Sequence, residues 1–246
     1  MDNDAEAHQD DEPNEYSSPA CFLHELTPDI TGIGHAAEGL DDGVIRWRKI
    51  VRPRLIEMRA AIRANDRKRM DDVIRTRLSG LLATMQGRIV SIYWPMKAEP
   101  NLIPWVKNSL PSELAFALPV VIKKGAPMEF RSWSPGESLI RGVWNIPIPE
   151  HGASLVPDIV IAPVVGFDKR GYRLGYGGGY FDRTLAVLAR KPYVIGIGYA
   201  QAAIETIYPL KHDIPMDVIV TEQSCVSYAS SSRLASTLEI ADSKSV

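Results

Sequence analysis

Between Pro157 and Arg183 the chain runs Pro-Asp-Ile-Val-Ile-Ala-Pro-Val-Val-Gly-Phe-Asp-Lys-Arg-Gly-Tyr-Arg-Leu-Gly-Tyr-Gly-Gly-Gly-Tyr-Phe-Asp-Arg. This order reads as a buried strand, a basic loop, a glycine-rich turn and the start of a helix. A strand that passes through glycines into a helix forms a phosphate-binding geometry. Gly175, Gly177, Gly178 and Gly179 let the backbone come close to an anion, and their N–H groups and the positive end of a helix opening near Tyr180 face it. Lys169, Arg170 and Arg173 add full charges, and an arginine can grip a phosphate with two parallel hydrogen bonds. The spacing does not match the Walker pattern, so a nucleotide site here is of another kind. Taken alone, the glycine cluster also reads as a tight or flexible turn.

The surrounding sequence alternates short β-rich runs with helical ones. Strands are predicted at Ile89–Tyr93, Leu114–Ile122, Met128–Trp133, Ile159–Ala162, Tyr193–Tyr199 and Val218–Thr221, and short helices near Leu102–Asn108 and Tyr180–Ala189. Upstream, Ile45, Ile50, Leu55, Met58 and Ile62 predict an arginine-rich amphipathic helix, with Pro53 arguing for a kink or a late start. A second helix is predicted over about 66–85, where Met70, Val73, Ile74, Leu78, Leu81 and Leu82 recur at helical spacing and Asn65 or Asp66 is available as a cap. The expected fold is a single three-layer α/β domain, its sheet largely parallel and covered by helices, with ligands beyond the carboxyl ends of the strands.

Charge is unevenly distributed. Residues 1–45 hold twelve of the 30 acidic side chains and none of the 28 basic ones, leaving the remainder net +10. Residues 1–42 are expected to form a disordered acidic tail, 43–228 the α/β domain and 229–246 a polar C-terminal tail. Within the first tail Gly32, Gly34 and Ala37 match a dinucleotide fingerprint, but no strand precedes them, so the match is read as chance. A basic body suits polyanionic small molecules. It lacks the interleaved aromatic and basic residues of single-strand binders, and nucleic acid is not expected as a partner. No apolar stretch approaches the ~20 residues that span a bilayer, and no basic-then-apolar leader opens the chain. A cytoplasmic protein without a membrane partner, and a monomer, is expected. Cys21 and Cys225 have no paired spacing and are expected to be free thiols.

Gly166-Phe-Asp-x-x-Gly-x-Arg-Leu-Gly-x-Gly-x-Gly-Tyr-Phe-Asp182 resembles the signature of the 5-formyltetrahydrofolate cyclo-ligase family. Four further blocks resemble that family in order: Arg48-x-x-x-Arg52, Tyr93-Trp-Pro-Met-Lys-Ala-Glu99, Trp144-Asn-Ile-Pro-Ile-Pro149 and His212-Asp-x-x-x-Asp217 before Thr221-Glu222. The resemblance implies a compact α/β enzyme that converts 5-formyltetrahydrofolate and MgATP into 5,10-methenyltetrahydrofolate, ADP and phosphate. It further implies that Arg48, Lys49, Arg52 and the segment Arg173, Leu174, Gly175, Tyr176, Gly177, Gly178, Gly179, Tyr180 and Phe181 bind ATP. Asp182 and Asp213 would hold Mg²⁺, while Trp94, Glu99, Trp144, Tyr176 and Tyr180 would contact the reduced folate. Arg173, Tyr180 and Lys169 are the expected catalytic residues. Read without the resemblance, Asp182 is also a favourable first-turn residue and Asp213 a solvated carboxylate. The sequence departs from the family pattern at Arg48, which stands in a lysine place, at Pro53, and at Pro100-Asn101-Leu102. A related enzyme using the same ATP and Mg²⁺ apparatus on a non-folate formamide is the alternative. Convergence of Trp94, Glu99 and Trp144 on the glycine loop discriminates the two.

Overall fold

The computed structural model describes residues 35–85, 89–108 and 114–228, with side chains described from residue 41 onward except at 108. Its centre is an eight-stranded sheet. Five strands run parallel in the middle, in the order β12 (Val218–Val220), β10 (Tyr193–Ile197), β7 (Ile159–Pro163), β1 (Ile89–Ser91) and β2 (Ala115–Val120). Both edges turn antiparallel: β13 (Cys225–Ser227) closes one, and β3 (Glu129–Ser132) followed by β6 (Ser154–Leu155) the other.

Strand alternation sends side chains into two separate cores. Val90, Phe116, Leu118, Ile159, Ile161, Ile195 and Val218 meet Ile74, Leu78 and Leu82 of α2 (Ala64–Leu82) and Trp105 of α3 (Ile103–Asn108). Ala117, Val160, Ala162, Val194 and Ile219 meet Leu185 of α4 (Tyr180–Val187) on the opposite face. Helices on both faces leave the central strands wholly buried, which is why they read as continuous apolar runs. Full burial of an Ile or Leu such as Ile74 or Leu78, both at 0% exposure, contributes about 1.5–3 kcal/mol each.

Smaller pieces position the site. A three-stranded sheet has the order β11 (Ala203–Ile204), β8 (Gly166–Asp168), β9 (Arg173–Leu174), and a hairpin pairs β4 (Leu139–Arg141) with β5 (Pro147–Pro149). These strands of two or three residues are too short to show periodicity, and the sequence pattern did not predict them. Asp168 holds the small sheet together: its carboxylate accepts from the N–H groups of Arg170, Tyr172 and Ile207.

The first helix departs most from expectation. α1 runs from His35 to Ala60, starting before the boundary expected at residue 42 and passing through Pro53 without ending there. Pro53 is exposed, as are Lys49 and Ile50, so the carbonyl that proline leaves without a donor lies on the solvent side. The inward stripe is also different. Arg48, Arg52, Leu55 and Arg59, spaced for one helical face, turn toward the protein, whereas Ile50 is 74% and Met58 44% exposed. α2 begins at Ala64 after Arg63, which makes no side-chain cap bond; Asn65 and Asp66 fall inside its first turn rather than capping it. Residues 1–34, with Cys21, Gly32 and Gly34, and residues 229–246 lie outside the described residues, while Cys225 is a free, exposed thiol.

Candidate functional site

β9 delivers the chain into the glycine loop. Leu174 is anchored in a core with Leu55, Val165 and Ile207, so toward a ligand it offers only its backbone. Beyond it the loop needs two left-handed conformations, at Gly177 (φ +104°) and at Gly179 (φ +62°), the residue from which α4 starts. Arg52 Nε donates to the Gly175 carbonyl at 2.6 Å. A Cβ at Gly177 would stand 3.3 Å from Arg52 Cζ, so the absence of a side chain is what lets α1 and the loop meet here. Arg173 Nη2 donates to Asp182 Oδ2 at 2.9 Å, with its guanidinium 5.1 Å over the Phe181 ring.

Two donors along this loop are buried without a hydrogen-bond partner among the described residues: Arg52 Nη1 and Arg173 Nε. A buried unpaired guanidinium N–H costs about 1–3 kcal/mol or more, and an anion lying against the loop removes that cost. Burial, and secondarily the charge of Arg48, pulls the Arg52 pKa down to about 10. An anionic ligand would supply the opposite charge that Arg52 does not receive from a described carboxylate.

The carboxylates expected to hold a metal are both in ion pairs. Asp213 receives Arg48 Nη2 at 2.5 Å and Nη1 at 3.2 Å, plus the Leu210 N–H at 2.6 Å. Asp182 takes Arg173 on one oxygen and the Ile214 N–H, at 3.2 Å, on the other. That last bond seats the residue after Asp213 against Asp182, so one neighbourhood holds both carboxylates beside the glycine loop. Among the described residues no group of three or more His, Cys, Asp or Glu side chains forms a protein-only metal cage. Two carboxylates next to a phosphate cradle suit Mg²⁺, which takes its other ligands from phosphate and water.

The loop also reaches the residue expected to bind folate. Tyr176 donates its hydroxyl to Glu99 Oε1 at 2.7 Å and accepts from Arg59 Nη2 at 2.5 Å. Glu99 is 3% exposed; its other oxygen accepts the Met96 N–H at 2.8 Å. Burial raises its carboxyl above the usual range against the opposing pull of Arg59, and burial followed by the Glu99 charge raises the Tyr176 phenol. A cavity of about 650 Å³ adjoins Glu99, lined by Arg67, Asp71 and Arg75 of α2 and by the turn from Pro95 to Asn101. Neither Trp94 nor Trp144 lines it.

Trp144 and Tyr180 stack edge-to-face, with ring centroids 5.1 Å apart. Trp144 sits in the β4–β5 connection at φ 57°, ψ 27°, a conformation that costs a bulky residue about 1–2 kcal/mol. The Tyr180 hydroxyl accepts the Gly125 N–H at 3.3 Å. Trp94 instead packs against the α2–α3 core, its ring 6.1 Å from that of Trp133, with no described contact to the loop. Glu99 and Trp144 therefore meet the glycine loop, and Trp94 does not.

Two of the expected site residues make no described contact with the glycine loop. Lys169 lies on the exposed turn between β8 and β9 and pairs with Glu205, away from the arginines at the loop. A basic residue in an exposed turn is held by the nearest carboxylate, and sequence adjacency to the motif did not reveal this. Lys49 is exposed, because only its neighbour Arg48 falls on the inward stripe. Arg59, which joins Tyr176 and Glu99, was missed; the signal in the sequence was its spacing of seven from Arg52 on the same helix face. The unusual Asn101 acts locally, since its side chain accepts the Ile103 N–H at 3.0 Å and opens α3.

The sequence model of the 5-formyltetrahydrofolate cyclo-ligase family matches residues 44–222, from the inward stripe of α1 to the end of the parallel sheet. The 5-formyltetrahydrofolate cyclo-ligase of Mycolicibacterium smegmatis is 28% identical over 184 residues, covering 72% of this chain and 94% of that protein. That of Haemophilus influenzae is 25% identical over 182 residues, 70% and 97% of the two chains. The solution structure of 5,10-methenyltetrahydrofolate synthetase from Aquifex aeolicus superposes with a TM-score of 0.66 at 28% identity, covering 74% of this chain and 93% of that one. With the glycine loop, the arginine stripe and both carboxylates inside the matched region, the chain belongs to the 5-formyltetrahydrofolate cyclo-ligase family.

Proposed function

We propose that this protein closes a five-membered ring between N5 and N10 of a reduced folate, converting 5-formyltetrahydrofolate and ATP into 5,10-methenyltetrahydrofolate, ADP and phosphate. The observation that carries the reading is the 2.7 Å bond between Tyr176 and Glu99. It brings a phosphate-binding loop and a buried carboxylate suited to a pterin edge into one site. Glu99 and Trp144 meeting the loop support folate over a non-folate formamide, while Trp94 does not add to that support.

An N-formyl group is a poor electrophile because its oxygen leaves badly. Transfer of the γ-phosphoryl group to that oxygen turns it into a leaving group. N10 then attacks the formyl carbon and loses its proton, and phosphate departs with the former formyl oxygen. The protein mainly holds the reactants in line and stabilises charge. Arg52 and Arg173 present their partnerless donors to phosphate oxygens, and Gly175 to Gly179 contribute N–H groups. Glu99 accepts paired N–H donors from the pterin, and Tyr180 with Trp144 bounds the space at the start of α4. Asp182 and Asp213 would hold Mg²⁺, which screens phosphate charge when bound. Arg173 and Arg48 are paired with those carboxylates, so a cation stands beside each proposed metal ligand.

The test is a near-ultraviolet assay for methenyltetrahydrofolate with purified protein, 5-formyltetrahydrofolate, Mg²⁺ and ATP, using Asp182→Asn as the control. ATP-dependent product from the wild type and none from the variant is expected. A folded wild type that binds ATP and yields no product refutes the folate reading and favours another formamide.

A further inference from the structure

Arg59 is a buried arginine on a helix face where an apolar residue is the cheaper solution. It is 4% exposed, and burying an ion costs several kcal/mol unless it is paired and hydrogen-bonded. Its guanidinium spends every nitrogen on a different segment. Nε donates to the Lys97 carbonyl at 3.0 Å, Nη1 to the Val164 carbonyl beyond β7 at 3.3 Å, and Nη2 to the Tyr176 hydroxyl at 2.5 Å. Nη2 also lies 3.9 Å from Glu99 Oε1.

The Lys97 contact falls on a strained segment. Lys97 (φ 45°) and Ala98 (φ 60°) are consecutive non-glycine residues in the left-handed region, immediately before Glu99. Each such residue costs about 1–2 kcal/mol, so the surrounding structure must over-determine the turn. The Glu99 N–H donates to the Met96 carbonyl while the Met96 N–H donates to the Glu99 carboxylate, which curls the turn onto itself. Arg59 supplies the external clamp on its carbonyl side.

We propose that Arg59 is the positioning residue for substrate recognition by Glu99: from α1 it clamps the strained turn, the end of β7 and the glycine-loop tyrosine, and so aims a charged carboxylate at the pterin edge. The inference rests on the reading of Glu99 as the folate acceptor. The planar fork explains the residue type, since one lysine ammonium cannot reach three acceptors in three directions. The groups facing Glu99 are Arg59 from α1, Tyr176 from the glycine loop, Tyr93 from the end of β1, Lys97 on its own turn and, across the cavity, Asp71 and Arg67 of α2. Arg59 is the largest of the influences that keep the buried carboxyl ionised.

The experiment measures equilibrium binding of 5-formyltetrahydrofolate and, separately, of MgATP between pH 5 and 9 for wild type, Arg59→Gln, Arg59→Lys and Glu99→Gln. Arg59→Gln is expected to bind the folate roughly ten- to hundredfold more weakly at neutral pH, the scale of a charge-assisted hydrogen-bond set, with ATP binding retained. Folate binding needs the carboxylate and is lost as pH falls, so removing the cation moves the midpoint to higher pH. Arg59→Lys keeps the charge and is expected to hold the midpoint near the wild-type value while still losing affinity; it also carries the test if Arg59→Gln does not fold. Unchanged folate affinity and pH profile in Arg59→Gln, with folate binding lost in Glu99→Gln, overturns the role of Arg59 and leaves that of Glu99 standing. Equal loss of ATP and folate with no midpoint shift marks Arg59 as structural only and also overturns the proposal. Wild-type folate binding by Glu99→Gln overturns the Glu99 assignment, and the Arg59 proposal with it.

Discussion

Replacing Gly177 by alanine tests whether the meeting of α1 and the glycine loop forms the ATP site. The backbone there has φ +104°, a region effectively confined to glycine, and the added methyl would lie 3.3 Å from both Cζ and the partnerless Nη1 of Arg52. Forcing an L-residue into that conformation costs about 1–3 kcal/mol. In a domain of this size each kcal/mol moves the unfolding temperature by about 2–4 °C, so a decrease of several degrees is expected. The methyl also covers the donor aimed at phosphate. Loss of one charge-assisted hydrogen bond, about 1.5–3 kcal/mol, weakens ATP binding roughly ten- to hundredfold. Calorimetric titration with MgATP, alongside a thermal melt, reads both effects. Gly80→Ala is the control: a Cβ there meets nothing within 4 Å, and alanine inside α2 gains about 0.5–1 kcal/mol of stability. A Gly177→Ala protein that is folded and binds ATP as tightly as wild type refutes the assignment of Arg52 Nη1 and the loop to phosphate.

Other outcomes follow from the same contacts. Asp213→Asn weakens the pairing of Arg48 and removes a proposed metal ligand, so turnover should collapse while folate affinity persists; parallel loss of both in a folded variant contradicts the division of the site. Lys169→Ala should leave turnover within about twofold, because its exposed pair with Glu205 is of the kind that contributes little; a large loss would restore the catalytic role expected from the motif. Burial raises the carboxyls of both Asp71 and Glu99. The folded protein therefore takes up protons there at higher pH than the unfolded chain. The stability this linkage contributes is complete below the unfolded carboxylate range and fades as pH rises through the raised folded-state values. Urea midpoints of an Asp71→Asn/Glu99→Gln double variant should vary less over that window than those of wild type, and an identical pH dependence would count against the raised values.

The parts of this protein legible in the linear sequence are those decided locally. Ile159–Ala162 announced a buried strand because both faces of β7 are covered, and Gly175, Gly177, Gly178 and Gly179 announced a tight turn into a helix because two of them adopt left-handed conformations that favour glycine. The start of α4 at Tyr180 followed from the same segment. The partners of charged side chains were settled only by the tertiary structure. Arg48 to Asp213 spans 165 residues and Tyr176 to Glu99 spans 77, distances at which no periodicity carries information. The face of α1 shows the reason most clearly. Its apolar residues pointed to one stripe, yet the partners within reach were carbonyls, a phenol and a carboxylate, so the arginines turned inward and Ile50 was left in solvent. Local pattern specifies an element; which face it buries depends on what the rest of the fold places against it.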